Sequence, residues 1–188
     1  MSGIRVISGS ARGRRLKRVS GMGTRPISDR VKEALFNIIG IDIRDAALLD
    51  LFGGTGSVGI EALSRGAARV VFLDTRRQAI ETMRANLALT GFTDRSEVLQ
   101  RDSLAYLDHS PCQGFDYIYI APPQSQGLWA TALQRVDNVL GWLNADGWVI
   151  TQIHPVEFSE MALSQLVLFD RRRYGNTMLC FFSVPHRN

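Results

Sequence analysis

The chain has 188 residues, of which 45% are hydrophobic and 21% are charged, and its formal net charge is +4. This composition fits one α/β domain with a sizeable buried core and excludes a disordered protein. No apolar run reaches the roughly 18 residues that a membrane-spanning helix requires, so we expect no membrane partner. The spacing of the two cysteines, Cys112 and Cys180, and of the three histidines does not fit a metal site or a disulfide framework. We therefore expect no metal and no disulfide, and a cytoplasmic location.

Basic side chains are concentrated near the amino terminus. Residues 1–32 hold nine Arg or Lys and a single acid, Asp29, which gives this segment a charge of +8 and leaves −4 for the other 156 residues. Such clustering is typical of nucleic-acid binders, because each neutralised phosphate releases condensed counterions. A basic arm that is merely solvated and an organelle transit peptide are the alternatives. The charge pattern therefore favours a nucleic-acid partner.

The first elements in chain order are a hairpin and a helix. Residues 4–9 and 14–19 have the pattern of two short strands across a turn, which favours a β-hairpin over a cleavable helix. Apolar residues at helical spacing then continue to Gly40, with Ser28 as a candidate N-cap. We therefore predict one domain that consists of a basic β-hairpin at 1–23, a helix at 24–40 and a core at 41–188.

Strand-like and helical segments alternate through the core. The predicted strands are 47–52, 69–74, 96–102, 115–120 and 147–153, and the predicted helices lie near 57–65, 76–90, 103–108 and 127–143. This alternation predicts a parallel sheet with helices on both faces. Two further strands, at 166–174 and 177–184, are joined by Gly175 and Asn176. They predict an antiparallel hairpin that closes one edge of the sheet.

A glycine-rich turn follows the first core strand and opens a helix. Gly54, Gly56 and Gly59 form a G-x-G-x-x-G pattern, in which the missing Cβ atoms allow a ligand to approach the backbone. On its own this pattern also fits a dinucleotide-binding fold, with Asp74 holding a ribose hydroxyl at the end of the second strand. The glycines therefore indicate a nucleotide-like ligand without identifying it.

Asp50 favours one of these ligands over the other. It ends the first core strand, where a carboxylate would repel a pyrophosphate but stabilise the ammonium group of an amino-acid-bearing cofactor. With Phe52 it completes the pattern D-x-F-x-G-x-G-x-x-G, which is that of S-adenosylmethionine sites in class I methyltransferases. Asp74 and Asp102 end the next two strands at the same edge of the sheet. Turn formation and helix capping are the alternative roles of these three acids.

Four longer segments, at residues 5–17, 24–40, 50–67 and 172–182, resemble the RsmD-type 16S rRNA guanine-N2 methyltransferases. The likeness covers nearly all of residues 4–182. It implies a Rossmann-like class I methyltransferase fold with a mostly parallel seven-stranded sheet. It also implies S-adenosylmethionine as cofactor and a guanine exocyclic amine of 16S rRNA, within the small ribosomal subunit, as methyl acceptor. We expect the enzyme to be a monomer.

The resemblance also implies roles for single residues. Asp74 would bind the ribose hydroxyls, and Asp102 would lie near the adenine amino group. The full candidate cofactor set is Asp50, Phe52, Gly54, Gly56, Asp74 and Asp102. The basic hairpin would hold the RNA, and we assign its phosphate contacts to Arg12, Arg14, Arg15 and Lys17.

The chain departs from the family at the end of the fourth strand, where the family has Asp-Pro-Pro-Tyr or Asn-Pro-Pro-Tyr. The candidate catalytic residues here are Ala121, Pro122, Pro123 and Gln124. The amine nitrogen must become tetrahedral to attack a sulfonium methyl group, so acceptors that hold its hydrogens lower the barrier. Pro122 still offers a carbonyl, but Ala121 has no side-chain acceptor, a loss of about 2–3 kcal/mol or roughly 30- to 150-fold in rate. Trp129 is a candidate replacement for the tyrosine ring that would stack on an everted base.

Three functions remain open from the sequence. The resemblance favours an active rRNA methyltransferase. Ala121 and Gln124 suggest instead a ribosome-binding or assembly protein that keeps the cofactor pocket without turnover. The glycine pattern alone leaves a nicotinamide-dependent oxidoreductase. Arg25 and Asp29 either face the site or cap the first helix.

Overall fold

The computed structural model describes residues 4–19, 27–124 and 126–185. The predicted start of the first helix at residue 24, and the candidate residue Arg25, lie outside these ranges. The strands are β1 Ala47–Asp50, β2 Arg69–Asp74, β3 Ser96–Gln100, β4 Phe115–Ile120, β5 Leu143–Ile153, β6 Val167–Tyr174 and β7 Thr177–Ser183. The α-helices are α1 Asp29–Ile39, α2 Ser57–Ser64, α3 Arg77–Thr90, α4 Ser103–Leu107 and α5 Leu128–Asn138. Short 3-10 helices occupy Gly40–Ile43, Thr93–Arg95, Leu140–Trp142 and Pro155–Glu157.

The described strands form one seven-stranded sheet in the order β3-β2-β1-β4-β5-β7-β6. Strands β1 to β5 are mutually parallel, and β7 is antiparallel to both β5 and β6. The predicted mostly parallel sheet with an antiparallel carboxyl-terminal hairpin is therefore confirmed. The carboxyl ends of β1 to β5 lie along one edge of this sheet, which we call the carboxyl edge. Open α/β sheets bind their ligands at this edge.

Each face of the sheet carries its own hydrophobic core. Helices α1, α2 and α3 cover the first face, where Leu35, Ile60 and Met83 pack with inward side chains of the strands. Helices α4 and α5 cover the second face, through residues such as Leu107 and Leu133. Burial on both faces explains why the strands read as nearly continuous apolar runs.

The amino-terminal segment forms the predicted antiparallel hairpin in a short form. One antiparallel bridge joins Arg5 and Arg15, and cross-strand backbone hydrogen bonds flank it on both sides. The next backbone donors along the chain bind helix α2. The N–H groups of Ile7 and Ser8 donate to the Glu61 carboxylate at 2.8 and 2.9 Å. This basic arm is therefore a short hairpin that is docked on α2.

Several predicted boundaries also shift. Helix α1 begins at Asp29 because the Ser28 side chain accepts a hydrogen bond from the Val31 N–H at 3.3 Å, which makes Ser28 the N-cap. It ends at Gly40, which adopts a positive φ of 69°. The long helix predicted at 127–143 is wrong in length, because α5 ends at Asn138 and a 3-10 turn follows. That turn places Trp142 in the second-face core.

A buried ionic cluster joins α1, α2 and the basic arm. The side chains of Lys32 and Glu61 are 1% and 0% exposed, and their Nζ and Oε2 atoms lie 3.6 Å apart. Lys32 also donates to the Arg5 carbonyl at 2.7 Å, and Arg65 donates to Glu61 at 2.9 Å. Burial lowers the pKa of Lys32, and the Glu61 carboxylate opposes that shift. The arm is therefore held by charged groups that cannot separate without leaving a buried charge unpaired.

Candidate active site

The glycine-rich turn between β1 and α2 lies at the carboxyl edge, as predicted. Gly54 and Gly56 have positive φ values of 55° and 76°, which an L side chain rarely adopts. Gly59 serves a different purpose, because a Cβ there would lie 2.3 Å from the Cε1 atom of Phe72 in β2. The first two glycines therefore shape the turn, and the third allows α2 to pack closely against the sheet.

Asp50 is a buried carboxyl group just below this turn. It is 2% exposed, and its Oδ1 atom has no hydrogen-bond partner. Burial raises the pKa of Asp50 to about 7; the backbone N–H groups of Phe52 and Gly59 oppose this shift, and Asp74 adds to it. An unpaired oxygen in a dry site stabilises a positively charged group brought to it. Asp50 therefore fits the ammonium group of S-adenosylmethionine and does not fit a pyrophosphate.

Asp74 ends β2 and already has several partners. Its Oδ2 atom accepts the Gly54 N–H at 3.1 Å, so the carboxylate braces the glycine turn. Its two oxygens also accept the guanidinium of Arg76, at 3.1 and 3.0 Å, and its Oδ1 atom accepts the Arg76 N–H at 2.9 Å. The Arg76 side chain is 43% exposed, so it can turn into solvent and leave room for a ribose hydroxyl. The contact between Arg76 and Asp74 was not predicted from the sequence.

Asp102 lies beyond the end of β3, with its side chain exposed. Its Oδ1 atom accepts the Ala105 N–H at 2.8 Å, which makes Asp102 the N-cap of α4. The neighbouring Ser103 hydroxyl donates to the Leu51 carbonyl and ties this loop to the end of β1. The capping role considered from the sequence is thus observed, and it holds Asp102 at the same edge as Asp50 and Asp74.

Asn86, on α3, connects the glycine turn to the basic arm and was missed by the sequence analysis. It is fully buried, and its side-chain amide donates to the carbonyls of Thr55 at 2.9 Å and Lys17 at 3.1 Å. Its Oδ1 atom accepts the Lys17 N–H at 2.7 Å. Thr55 belongs to the turn and Lys17 to the arm. A single amide therefore fixes both segments on one helix.

The basic side chains of the arm point away from the core. Ile4, Val6 and Leu16 are buried against the first face. The predicted RNA-binding residues Arg12, Arg14, Arg15 and Lys17 are exposed on the same segment. The arm is therefore an apolar anchor with a cationic outer surface, as charged phosphate-binding segments require.

The predicted departure from the family pattern falls at the end of β4. Ala121 and Pro122 are half-buried, and Pro123 and Gln124 are exposed. Trp129 is 2% exposed and belongs to the second-face core, so its predicted stacking on a base is wrong. Helix α5 buries this ring because it lies on the helix's apolar face, with Leu133 and Val136.

A separate recess of about 340 Å³ lies at the opposite, amino-terminal edge of the sheet, lined by residues such as Asp116 and Trp148. None of the predicted site residues lines it. Its lining has no glycine turn and no strand end, so we assign the chemistry to the carboxyl edge. Among residues 4–19, 27–124 and 126–185 no group of three His, Cys, Asp or Glu could hold a metal ion. No helix in the same ranges is long and apolar enough to cross a bilayer.

Comparison with known proteins identifies the family. The family model described as "Conserved hypothetical protein 95" matches residues 4–183. The "Putative rRNA methyltransferase YlbH" of Bacillus subtilis is 37% identical over 183 residues, which cover 95% of this chain and 98% of that protein. The "Ribosomal RNA small subunit methyltransferase D" of Escherichia coli strain K12 is 34% identical and covers 74% and 69% of the two chains.

A solved structure agrees with this assignment. "Putative methyltransferase yhhF from Escherichia coli" superposes with a TM-score of 0.84 and 27% identity, covering 97% of this chain and 98% of that chain. The names of these proteins are those of enzymes, so the comparisons do not favour a binding protein without turnover. The chain belongs to the Conserved hypothetical protein 95 family, that of the RsmD-type methyltransferases, and is an S-adenosylmethionine-dependent methyltransferase.

Proposed function

We propose that this protein methylates the exocyclic N2 of a guanine in 16S rRNA, within the small ribosomal subunit. We further propose that it acts in the cytoplasm as a monomer, that it needs no metal, and that the whole chain forms one catalytic domain. Two observations support the proposal. The buried Asp50 carboxyl group has an unpaired oxygen and lies beside the glycine turn. Asn86 binds both this turn and the basic arm. A cationic cofactor and an anionic polymer fit these two features.

The first element of the proposal is the cofactor site. S-adenosylmethionine supplies, when bound, an electrophilic methyl group on a sulfonium. Asp50 would receive the ammonium group, and Gly54 and Gly56 would let the backbone approach the ligand. Asp74 would accept the ribose hydroxyls after its pairing with Arg76 loosens. Phe52 and Asp102 would border the adenosine.

The second element is RNA binding by the arm. Arg12, Arg14, Arg15 and Lys17 are exposed on a segment whose apolar side is buried. Because Glu61 and Asn86 fix the backbone of this segment, the cations lie at set positions and not on a free tail. An RNA held there would lie next to the glycine turn, to which the same amide is bonded.

The third element is the corner of Ala121, Pro122, Pro123 and Gln124. The two prolines fix the backbone where β4 leaves the sheet. This rigidity would present the Pro122 carbonyl to the amine of an everted guanine. Gln124, which is exposed, would contact the base with a smaller surface than a tyrosine ring offers.

Methyl transfer to small-subunit RNA is the direct test of this function. Small subunits, and RNA extracted from them, are prepared from cells that lack the protein and incubated with labelled S-adenosylmethionine. We expect label in 16S rRNA, recovered as N2-methylguanosine by mass spectrometry, and none with the Asp50→Ala protein. Label on another base, or none in either substrate from a wild-type protein that binds S-adenosylhomocysteine, would refute the proposal.

The pH dependence of stability tests the state of Asp50 in the ligand-free protein. Its folded pKa of about 7 lies above the ordinary aspartate value of 3.8, so between these values the folded state binds more protons than the unfolded chain. The free energy of unfolding should therefore fall as the pH rises from 4 to 7, by about 4 kcal/mol from this group.

Urea unfolding of wild type and Asp50→Asn across this pH range measures the effect. Asp50→Asn cannot ionise at this position, so its free energy of unfolding should not show the decrease that Asp50 causes between pH 4 and 7. Asp102→Asn, which alters an exposed cap, is the matched control and should keep the wild-type slope. Parallel curves for wild type and Asp50→Asn would contradict the assignment.

Replacing Arg12, Arg14 and Arg15 with Gln tests the RNA-binding arm. Each lost phosphate contact removes about 0.7 from the slope of log K against log salt for single-stranded RNA. The triple variant should therefore bind weakly and show a slope smaller by about 2, measured by fluorescence anisotropy at several salt concentrations. Arg44→Gln, an exposed arginine at the amino-terminal edge, should leave both quantities unchanged. An unchanged slope in the triple variant would remove the arm from the interface.

A further inference from the structure

The chain lacks the side-chain acceptor that its family places at position 121, and the structure offers another one next to it. Strand β4 ends at Ile120, which pairs with Thr151 of β5. Ala121 follows Ile120, and Gln152 follows Thr151. The two residues therefore occupy neighbouring positions on adjacent strands, at the carboxyl edge.

Ala121 and Gln152 also lie on the same face of the sheet. Ala121 and Tyr119 both pack with the first-face core, as alternate residues of one extended segment. Gln152 pairs with Leu179 of β7, which belongs to the same core. The side chains of Ala121 and Gln152 therefore stand side by side in register on one face of the sheet.

A buried tyrosine holds this carboxamide in place. The Tyr119 hydroxyl donates to the Gln152 Oε1 atom at 2.5 Å. Burial, and after it the Asp50 carboxyl group, raises the pKa of Tyr119 well above its usual value, so the hydroxyl stays protonated and remains a donor. An amide oxygen has two lone pairs. One accepts the tyrosine hydrogen, and the second can accept a hydrogen from a ligand.

We propose that Gln152 is a catalytic residue that replaces the missing family acceptor, its Oε1 atom accepting one N2–H of the target guanine. This inference rests on the proposed function. The N2 lone pair forms the new N–C bond as the methyl–sulfur bond breaks, with that bond's electron pair moving to sulfur. N2 then carries a positive charge and releases one of its two hydrogens to water as a proton. Gln152 holds the other hydrogen and favours the tetrahedral geometry at nitrogen.

Tyr119 is then a positioning residue and acts through Gln152. Its hydroxyl fixes the carboxamide rotamer so that the free lone pair stays directed outward. Gln152 itself is half-buried, which allows a ligand to reach it while limiting competition from water.

A double-mutant cycle at positions 121 and 152 tests the inference. Gln152→Leu should lower kcat by roughly 10- to 100-fold, with unchanged affinity for S-adenosylhomocysteine and an unchanged melting temperature. Gln152→Glu, which keeps the acceptor, should stay within about 5-fold of wild type. Ala121→Asp should give less than about 3-fold gain in the wild type but restore at least 10-fold in Gln152→Leu, because only Gln152→Leu lacks a side-chain acceptor at this corner.

Binding provides a readout independent of turnover. RNA with guanosine or inosine at the methylated position is compared in the presence of S-adenosylhomocysteine, because inosine lacks the N2 amine. The wild type should prefer guanosine by roughly 5- to 20-fold, and Gln152→Leu should lose that preference. A wild type that methylates no RNA would overturn the proposed function. An active wild type whose kcat and guanosine preference survive Gln152→Leu would overturn the role of Gln152 alone.

Discussion

One buried carboxyl oxygen without a hydrogen-bond partner, at the end of β1, is the constraint on which this structure depends. Asp50 gains little from folding, because burial disfavours its charged form and leaves one oxygen unpaired. A residue that served only to fill the core would be apolar, because an unpaired buried carboxyl group destabilises the fold. Asp50 ends β1 beneath a turn in which two positions have a positive φ that favours glycine. A cation bound at this place would give the unpaired oxygen its partner. The free protein thus bears a cost that the bound cofactor offsets.

The side chains that support this site also hold the basic arm, and they carry no chemistry of their own. Glu61 lies on α2, the helix that follows the glycine turn. Its carboxylate accepts hydrogen bonds from two backbone N–H groups of the arm. Asn86 on α3 bonds the turn and the arm at once. Cofactor turn and cationic arm therefore rest on the same two helices. A protein that must bring a small donor and a large acceptor together benefits from such shared supports.

The sequence predicts those features that depend on neighbouring residues, and it does not predict those that depend on contacts between distant segments. The core strands, the glycine turn and the Ser28 cap depend on residues close in sequence, and they are found where expected, although β1 and β3 end two residues earlier than predicted, at Asp50 and Gln100. The hairpin of the basic arm was predicted, but its docking was not, because its anchor Glu61 is more than fifty residues away in sequence. Trp129 was predicted to stack on a base, and this prediction was wrong because the residue lies on the apolar face of α5 and is buried in the core. Asn86 and the Tyr119–Gln152 contact depend on register between distant segments, which local spacing does not encode.

Proton release on binding S-adenosylhomocysteine, which keeps the ammonium group, tests the central claim most directly. Calorimetry at pH 6 in two buffers of different ionisation enthalpy measures it. Because the pKa of Asp50 is about 7 in the free protein, this group is mostly protonated at that pH and must ionise against the ammonium. We predict release of about one proton per molecule bound, and none with Asp50→Asn. Binding of equal strength in both proteins without proton release would contradict the account.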